Sequence, residues 1–245
     1  MNTSQQASSQ RKSAIATGVL YLITHVTSVG AVILYNPILT DANYIIGSGS
    51  DTQVLIGILF DVILALAVVG TSVALFPIVK RWNEGIALGY VGLRTLEAGI
   101  IAVGVVPLLV IVTLRQHPTA VADTTTLVAL GNALVAFYNW TFLLGPGLVC
   151  GTNTILMAYL MYKSRLVPRF IPVLGLVGGP LILAINAAKL FGIYEQFPSW
   201  AAIAVIPIFA WEVTLAIRLI TKGFNSETIA SESASTSSNE LLNAA

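Results

Sequence analysis

Residues 54–79 read VLIGILFDVILALAVVGTSVALFPIV. The only ionisable group in this stretch is Asp61. As a helix rising about 1.5 Å per residue it measures about 39 Å, enough to cross a hydrocarbon core roughly 30 Å thick. Apolar residues fill every face, whereas a helix on the surface of a soluble protein keeps them to one stripe. Lipid is therefore the expected solvent. The composition agrees, because only 9% of the 245 residues are charged and 56% are hydrophobic. A water-soluble surface needs roughly a quarter of its residues charged.

Walking outward from this run, polar breaks divide the chain into further spans. The first covers about Ala14 to Tyr35, the third about Ile86 to Val112, the fifth about Phe170 to Ile193 and the sixth about Ala201 to Ile220. The first is too long for the apolar core of a signal peptide and has no small-residue cleavage site, so it is read as an uncleaved span. Between the third and the fifth, residues 126–162 are apolar almost throughout, longer than one span requires. Gly145, Pro146 and Gly147 interrupt them, and proline removes a helix hydrogen bond and crowds the preceding turn. The expectation is a helix over about 124–139 leading into a span over about 141–162, kinked near Pro146. The fold class is thus all-α, a polytopic membrane bundle of six transmembrane helices with a kinked, extended fourth.

Loop charges choose between six spans and seven. With the N-terminus inside, one side of the membrane collects Arg11, Lys12, Lys80, Arg81, Lys163, Arg165, Arg169, Arg218 and Lys222, and the other holds Arg115. Turning the Gly-Pro-Gly segment into a hairpin would place Lys163, Arg165 and Arg169 outside, against the positive-inside rule. Six spans place both termini in the cytoplasm, in a bacterial inner membrane. Residues 1–13 form a polar cytoplasmic leader, 14–222 the membrane domain and 223–245 a polar tail expected to be disordered. The segment from Asn36 to Gln53 is read as a long outer loop.

Several function classes drop out. The net charge of +1, with its bases split among loops, gives no basic face for nucleic acid. The single cysteine, Cys150, lacks the spacing of a redox or metal site, and no metal or cofactor is expected. The motifs of metalloproteases, phosphate loops and serine hydrolases are missing. No catalytic set is visible, and the balance leans away from an enzyme.

The informative residues are the ionisable ones at membrane depth: His25, Asp61, Arg94, Glu97, Lys189 and Glu212. A charge at the bilayer centre costs at least about 2.5 kcal/mol, so each is expected to face the bundle interior or water. Counting from span ends, His25, Glu97 and Glu212 fall near the midplane. Arg94 lies one turn away on the same face as Glu97, within reach of either glutamate. Two carboxylates facing one arginine do not both ionise cheaply, so one holds a proton or His25 carries it. Asp61 and Lys189 share the outer half and are expected to pair, unless Lys189 snorkels to the surface. His25 alone reads equally as a packing residue, and Arg94 with Glu97 as a structural lock. Asn132, Asn139, Asn153 and Asn186 offer neutral polar groups for a cavity or for interhelical hydrogen bonds. The pairs Gly85/Gly89, Gly147/Gly151 and Gly175/Gly179 have the spacing of close helix packing and leave an oligomer open.

The residues 18–23, Gly-Val-Leu-Tyr-Leu-Ile, together with Asp61, Arg94-Thr95-Leu96-Glu97 and the run from Leu156 through Leu174 centred on Lys163-Ser164-Arg165-Leu166-Val167-Pro168-Arg169, resemble the bacterial membrane family catalogued as domain of unknown function 4386. The likeness covers roughly residues 14–220, and His25 lies outside the matching motifs. It implies the membrane topology and assigns no activity. Two functional classes follow from the residues: a small proton-linked carrier or ligand-binding bundle using the Arg94, Glu97 and Glu212 layer, or a non-catalytic assembly or regulatory component whose charges lock helices. A lipid-directed membrane enzyme comes third. The lipid bilayer is the one partner expected, with the ligand unidentified.

Overall fold

A computed structural model describes residues 3–116, 123–193 and 198–231. They are helical almost throughout, with no strand among the described residues. The helices are α1 (Thr3–Thr40), α2 (Asp51–Val79), α3 (Glu84–Gln116), α4 (Thr124–Phe142), α5 (Cys150–Ser164), α6 (Phe170–Leu190) and α7 (Pro198–Thr221). Five helical stretches are long and apolar enough to cross a membrane: Ser8–Thr40, Asp51–Val79, Glu84–Gln116, Thr124–Ser164 and Phe170–Leu190. The chain is a membrane-embedded helical protein.

Helix continues through the Gly-Pro-Gly segment. Leu143–Val149 form a π-helical turn that joins α4 to α5. Pro146 has no N–H to donate, and the wider turn accommodates the ring without ending the helix. The long outer loop is shorter than expected. α1 runs on through Pro37 to Thr40, the Asp41 N–H donates to the Pro37 carbonyl at 3.1 Å, and only residues 41–50 lie outside helix.

α1 packs on α2 and α7, α3 on α2, α4 and α5, and α6 on α5 and α7. Glycines set the closest approaches. A Cβ on Gly151 would lie 3.1 Å from the Gly179 carbonyl oxygen, and one on Gly179 would lie 3.0 Å from that of Gly151. Backbone thus meets backbone where α5 crosses α6, as small residues permit in lipid. A Cβ on Gly175 would meet Ala158 and Trp211, and one on Gly147 would meet Asn186. These glycine faces are used inside the bundle.

Two larger apolar cores lie at different levels along the helices, with a smaller one of Leu64, Val68, Ala98 and Ile101. One gathers Ala14, Tyr21, Leu75, Tyr90, Met157, Leu166, Trp211 and Leu219. The other gathers Ala31, Tyr35, Ile38, Ile58, Leu108 and Tyr138. Along α1, His25 falls between Tyr21 and Ala31; along α3, Arg94 and Glu97 fall between Tyr90 and Val105. The charged layer sits at the seam of the two cores.

The first core extends to the basic end of the molecule, where the chain is tied together. Arg11 donates to the carbonyls of Leu219 at 2.9 Å and Ile220 at 2.6 Å, bringing the start of α1 against the end of α7. Helix runs through the polar leader from Thr3 onward. The stretch after α7 corrects the expectation of disorder for residues 223–231. Phe224 and Ile229 are buried, the Asn225 N–H donates to the Leu166 carbonyl at 2.8 Å, and residues 226–231 form a helical turn. Residues 232–245 lie outside the described residues, as do His117 and Glu195.

Candidate functional site

α3 presents Tyr90, Arg94 and Glu97 on one face, because residues three and four apart stack along a helix. Arg94 Nη1 donates to Glu97 Oε2 at 3.1 Å and Arg94 Nη2 to Glu212 Oε1 at 3.3 Å. Arg94 Nε donates to the Tyr90 hydroxyl at 3.1 Å, and that hydroxyl shares a 2.8 Å hydrogen bond with the hydroxyl of Tyr21. The guanidinium carbon lies 5.4 Å from the Tyr21 ring centroid and 5.7 Å from that of Tyr90, so two aromatic rings flank the cation. Asn153 of α5 donates to Glu97 Oε2 at 2.7 Å.

The cluster is dry. Relative exposure is 2% for Arg94, 4% for Glu97, 7% for Glu212 and 1% for Asn153. His25 marks its edge. Its Nε2 lies 3.3 Å from Glu212 Oε2, in ion-pair range but off the line of a hydrogen bond. The ring packs on Phe209 with centroids 4.7 Å apart, and the side chain keeps 16% exposure. Asn153 Oδ1 is buried without a hydrogen bond. Four expected residues, His25, Arg94, Glu97 and Glu212, therefore meet in one place, drawn from α1, α3 and α7.

The other two do not meet. Asp61 is 7% exposed and accepts from the Tyr35 hydroxyl at 3.0 Å, beside Tyr138, whose ring stands edge-on to Tyr35 at 5.5 Å. Lys189 is exposed near the end of α6 and forms no ion pair with Asp61. Of the two alternatives, pairing and snorkelling, the exposure of Lys189 fits snorkelling. α2 packs on α1 and α3 whereas α6 packs on α5 and α7, so equal depth does not bring the two together. Of the four asparagines, Asn153 joins the cluster and Asn186 donates to the Ile182 carbonyl of its own helix at 2.8 Å. Asn132 and Asn139 are exposed.

The end opposite the basic one is closed by Arg115. It pairs through Nε with Asp51 Oδ1 at 2.9 Å, donates to the carbonyls of Tyr44 and of Gly49 (2.7 Å), and stacks on the Tyr44 ring at 4.2 Å. Burial pushes the Tyr44 hydroxyl above its usual range. Cys150 is free and half-buried, and no group of three metal-ligating side chains occurs among the described residues.

Tyr21, Tyr90, Tyr35 and Tyr138 escaped a reading based on charge. Tyr90 carried a signal, since it sits four residues before Arg94 on the same helical face.

Apolar helices long enough to span a bilayer, closed around a sealed patch of charge, define a membrane-embedded helical bundle with a polar centre. The chain belongs to the family described as domain of unknown function 4386, whose model matches residues 16–223. That range takes in all six candidate residues. No curated protein and no solved structure matches the chain.

Proposed function

We propose that the protein is a six-span membrane protein of the bacterial inner membrane, with both termini cytoplasmic, and that its mid-depth cluster binds and releases a proton in the manner of a small proton-linked carrier or ligand-binding bundle. The topology draws support from the collection of nine of the twelve basic residues toward one end of the bundle. α7, Pro198–Thr221, supplies the sixth span. In a background with Cys150 replaced by alanine, a cysteine at Ser231 is labelled from the cytoplasm and one at Ser48 from outside; both positions are exposed. Labelling of both from one side removes the six-span topology.

The observation that carries the proton reading is the approach of His25 to Glu212 at 3.3 Å, at the edge of an otherwise sealed cluster. Counting formal charges, Arg94 supplies one positive and Glu97 and Glu212 two negative. One added proton neutralises the group, and an unbalanced charge in low dielectric is costly. His25 sits where such a proton enters or leaves. A screen of reconstituted vesicles for proton-linked uptake, run beside Arg94→Ala and His25→Ala, tests the activity. Uptake that neither substitution alters moves transport away from this cluster.

A second reading is favoured by the complete engagement of Arg94, whose Nε, Nη1 and Nη2 all hold partners at 2% exposure. In that reading the network fixes α1, α3 and α7 in one register, and the protein is an assembly or regulatory component.

A further inference from the structure

At the basic end, the loop between α5 and α6 and the end of α7 form an open cavity of about 320 Å³ lined by Arg165, Val167, Pro168, Arg169, Arg218 and Asn225. Half of the lining is arginine and none of it is acidic. Arg165 opens the loop in the left-handed region, with φ 55°, which turns the chain sharply as α5 ends. Arg169 closes the loop with its guanidinium 5.1 Å from the Tyr162 ring centroid. Arg218 enters from the last turn of α7. The 2.8 Å bond from Asn225 to the Leu166 carbonyl makes the segment after α7 a wall of the cavity.

Among the described residues, these three cations share this space without a counter-charge. Glu84 and Glu227 are the acids described at this end, and neither forms an ion pair with Arg165, Arg169 or Arg218. Arg218 Nε is buried and has no hydrogen-bond partner. Planar guanidinium forks match the paired oxygens of a phosphate better than they match a single-atom anion.

Position narrows the source. The cavity lies just beyond the apolar stretches Thr124–Ser164 and Phe170–Leu190, at the level of headgroups, and its neighbour Phe170 is 64% exposed. Basic pockets at the cytoplasmic ends of membrane helices are suited to anionic headgroups. We propose that this cavity binds a phosphate group, that of an anionic phospholipid or of free phosphate. The site rests on the membrane topology proposed above and is independent of the mid-depth proton site.

The test uses the full chain in detergent, titrated with short-chain phosphatidylglycerol, short-chain phosphatidylcholine and inorganic phosphate, with bound ligand counted by native mass spectrometry. Phosphatidylglycerol should occupy one saturable site per chain, and phosphatidylcholine should bind about tenfold more weakly or worse. Arg218→Gln should weaken the anionic lipid by about tenfold or more. Arg165→Gln with Arg169→Gln, both at exposed positions, should do the same without loading the fold. Lys12→Gln with Arg81→Gln, which removes as much charge from the same end, should leave binding unchanged. Binding of inorganic phosphate with the same sensitivity, and no lipid binding, upholds the site with a soluble ligand. Failure of all three probes to bind, or binding indifferent to the Arg165/Arg169 pair, overturns it. Replacing Arg94, Glu97 and Glu212 by leucine should leave this binding intact, which separates its fate from that of the mid-depth cluster.

Discussion

Two buried carboxylate sites occupy the bundle, and they are solved differently. Glu97 and Glu212 face a guanidinium, an asparagine amide and an imidazole contributed by α1, α3 and α5. Asp61 faces no cation within ion-pair range and accepts one phenolic hydrogen bond, from Tyr35. Burial is nearly equal, at 4% and 7% for the glutamates and 7% for Asp61. Burial alone therefore does not make a site. What distinguishes the mid-depth cluster is an odd charge shared over several elements, with one edge, His25, less enclosed than the rest.

The largest effect that sharpens this contrast is expected from Arg94→Leu. It strands two carboxylates, and breaking a buried ion network costs about 3–5 kcal/mol, read as a lower midpoint in reversible unfolding from mixed micelles. The triple replacement Arg94→Leu, Glu97→Leu and Glu212→Leu removes every stranded charge and should recover most of that loss. A triple variant as unstable as the single would mean the cluster is needed for assembly itself.

Next in size comes the contact that holds α5 against α6. Gly179→Val should cost about 1–3 kcal/mol by overpacking, because even a Cβ there would lie 2.5 Å from Ile155 Cγ1 and 3.0 Å from the Gly151 carbonyl. Unchanged stability would mean that the two helices separate freely.

At the second carboxylate site, Tyr35→Phe removes the one hydrogen bond to Asp61 and should cost about 1–3 kcal/mol. Lys189→Gln should cost nothing measurable, since Lys189 is exposed and unpaired with Asp61. A charge-reversed pair, Asp61→Lys with Lys189→Asp, that restored folding over the single changes would reinstate the discarded ion pair.

The smallest expected effect lies outside the apolar stretches. Asp123 caps α4, and the Thr126 amide donating to it at 2.8 Å holds its carboxyl below the usual range. A depressed folded value means the cap's contribution is present above the ordinary aspartate range near 3.9 and fades as pH falls through the folded value. The protection of the Thr126 amide, taken relative to the intrinsic exchange rate at each pH, should fall over that acidic window, and Asp123→Ala should show low protection already at neutral pH. Equal exchange in both proteins would show that the cap contributes nothing.

Much of this arrangement was legible before any coordinates. Arg94 and Glu97 are three apart on a helix, so their shared face followed from periodicity, and counting residues from span ends put His25 and Glu212 at their depth. Depth says nothing about azimuth, so equal depth alone leaves open whether Lys189 pairs with Asp61 or snorkels to the surface. Which helices neighbour each other is decided by packing at glycines such as Gly151 and Gly179, whose partners do not show in a single helix. Tyrosines were overlooked because they carry no formal charge, although in low dielectric a phenol is the donor a carboxylate needs. The segment after α7 looked disordered because Ser, Thr and Asn dominate it; Phe224 and Ile229, five apart, were enough to dock its first turn.

Proton exchange at the mid-depth cluster separates a proton-binding site from a lock between helices. Infrared difference spectra of the reconstituted protein, recorded across a pH titration in heavy and light water, report a protonated carboxyl through its C=O band. The wild type should show a titrating carboxyl or imidazole signal that disappears in His25→Ala combined with Glu212→Gln and survives in Asp61→Asn. A spectrum in which the double variant matches the wild type, or in which Asp61→Asn alone removes the signal, would contradict the proton-binding role and leave the cluster as a lock between helices.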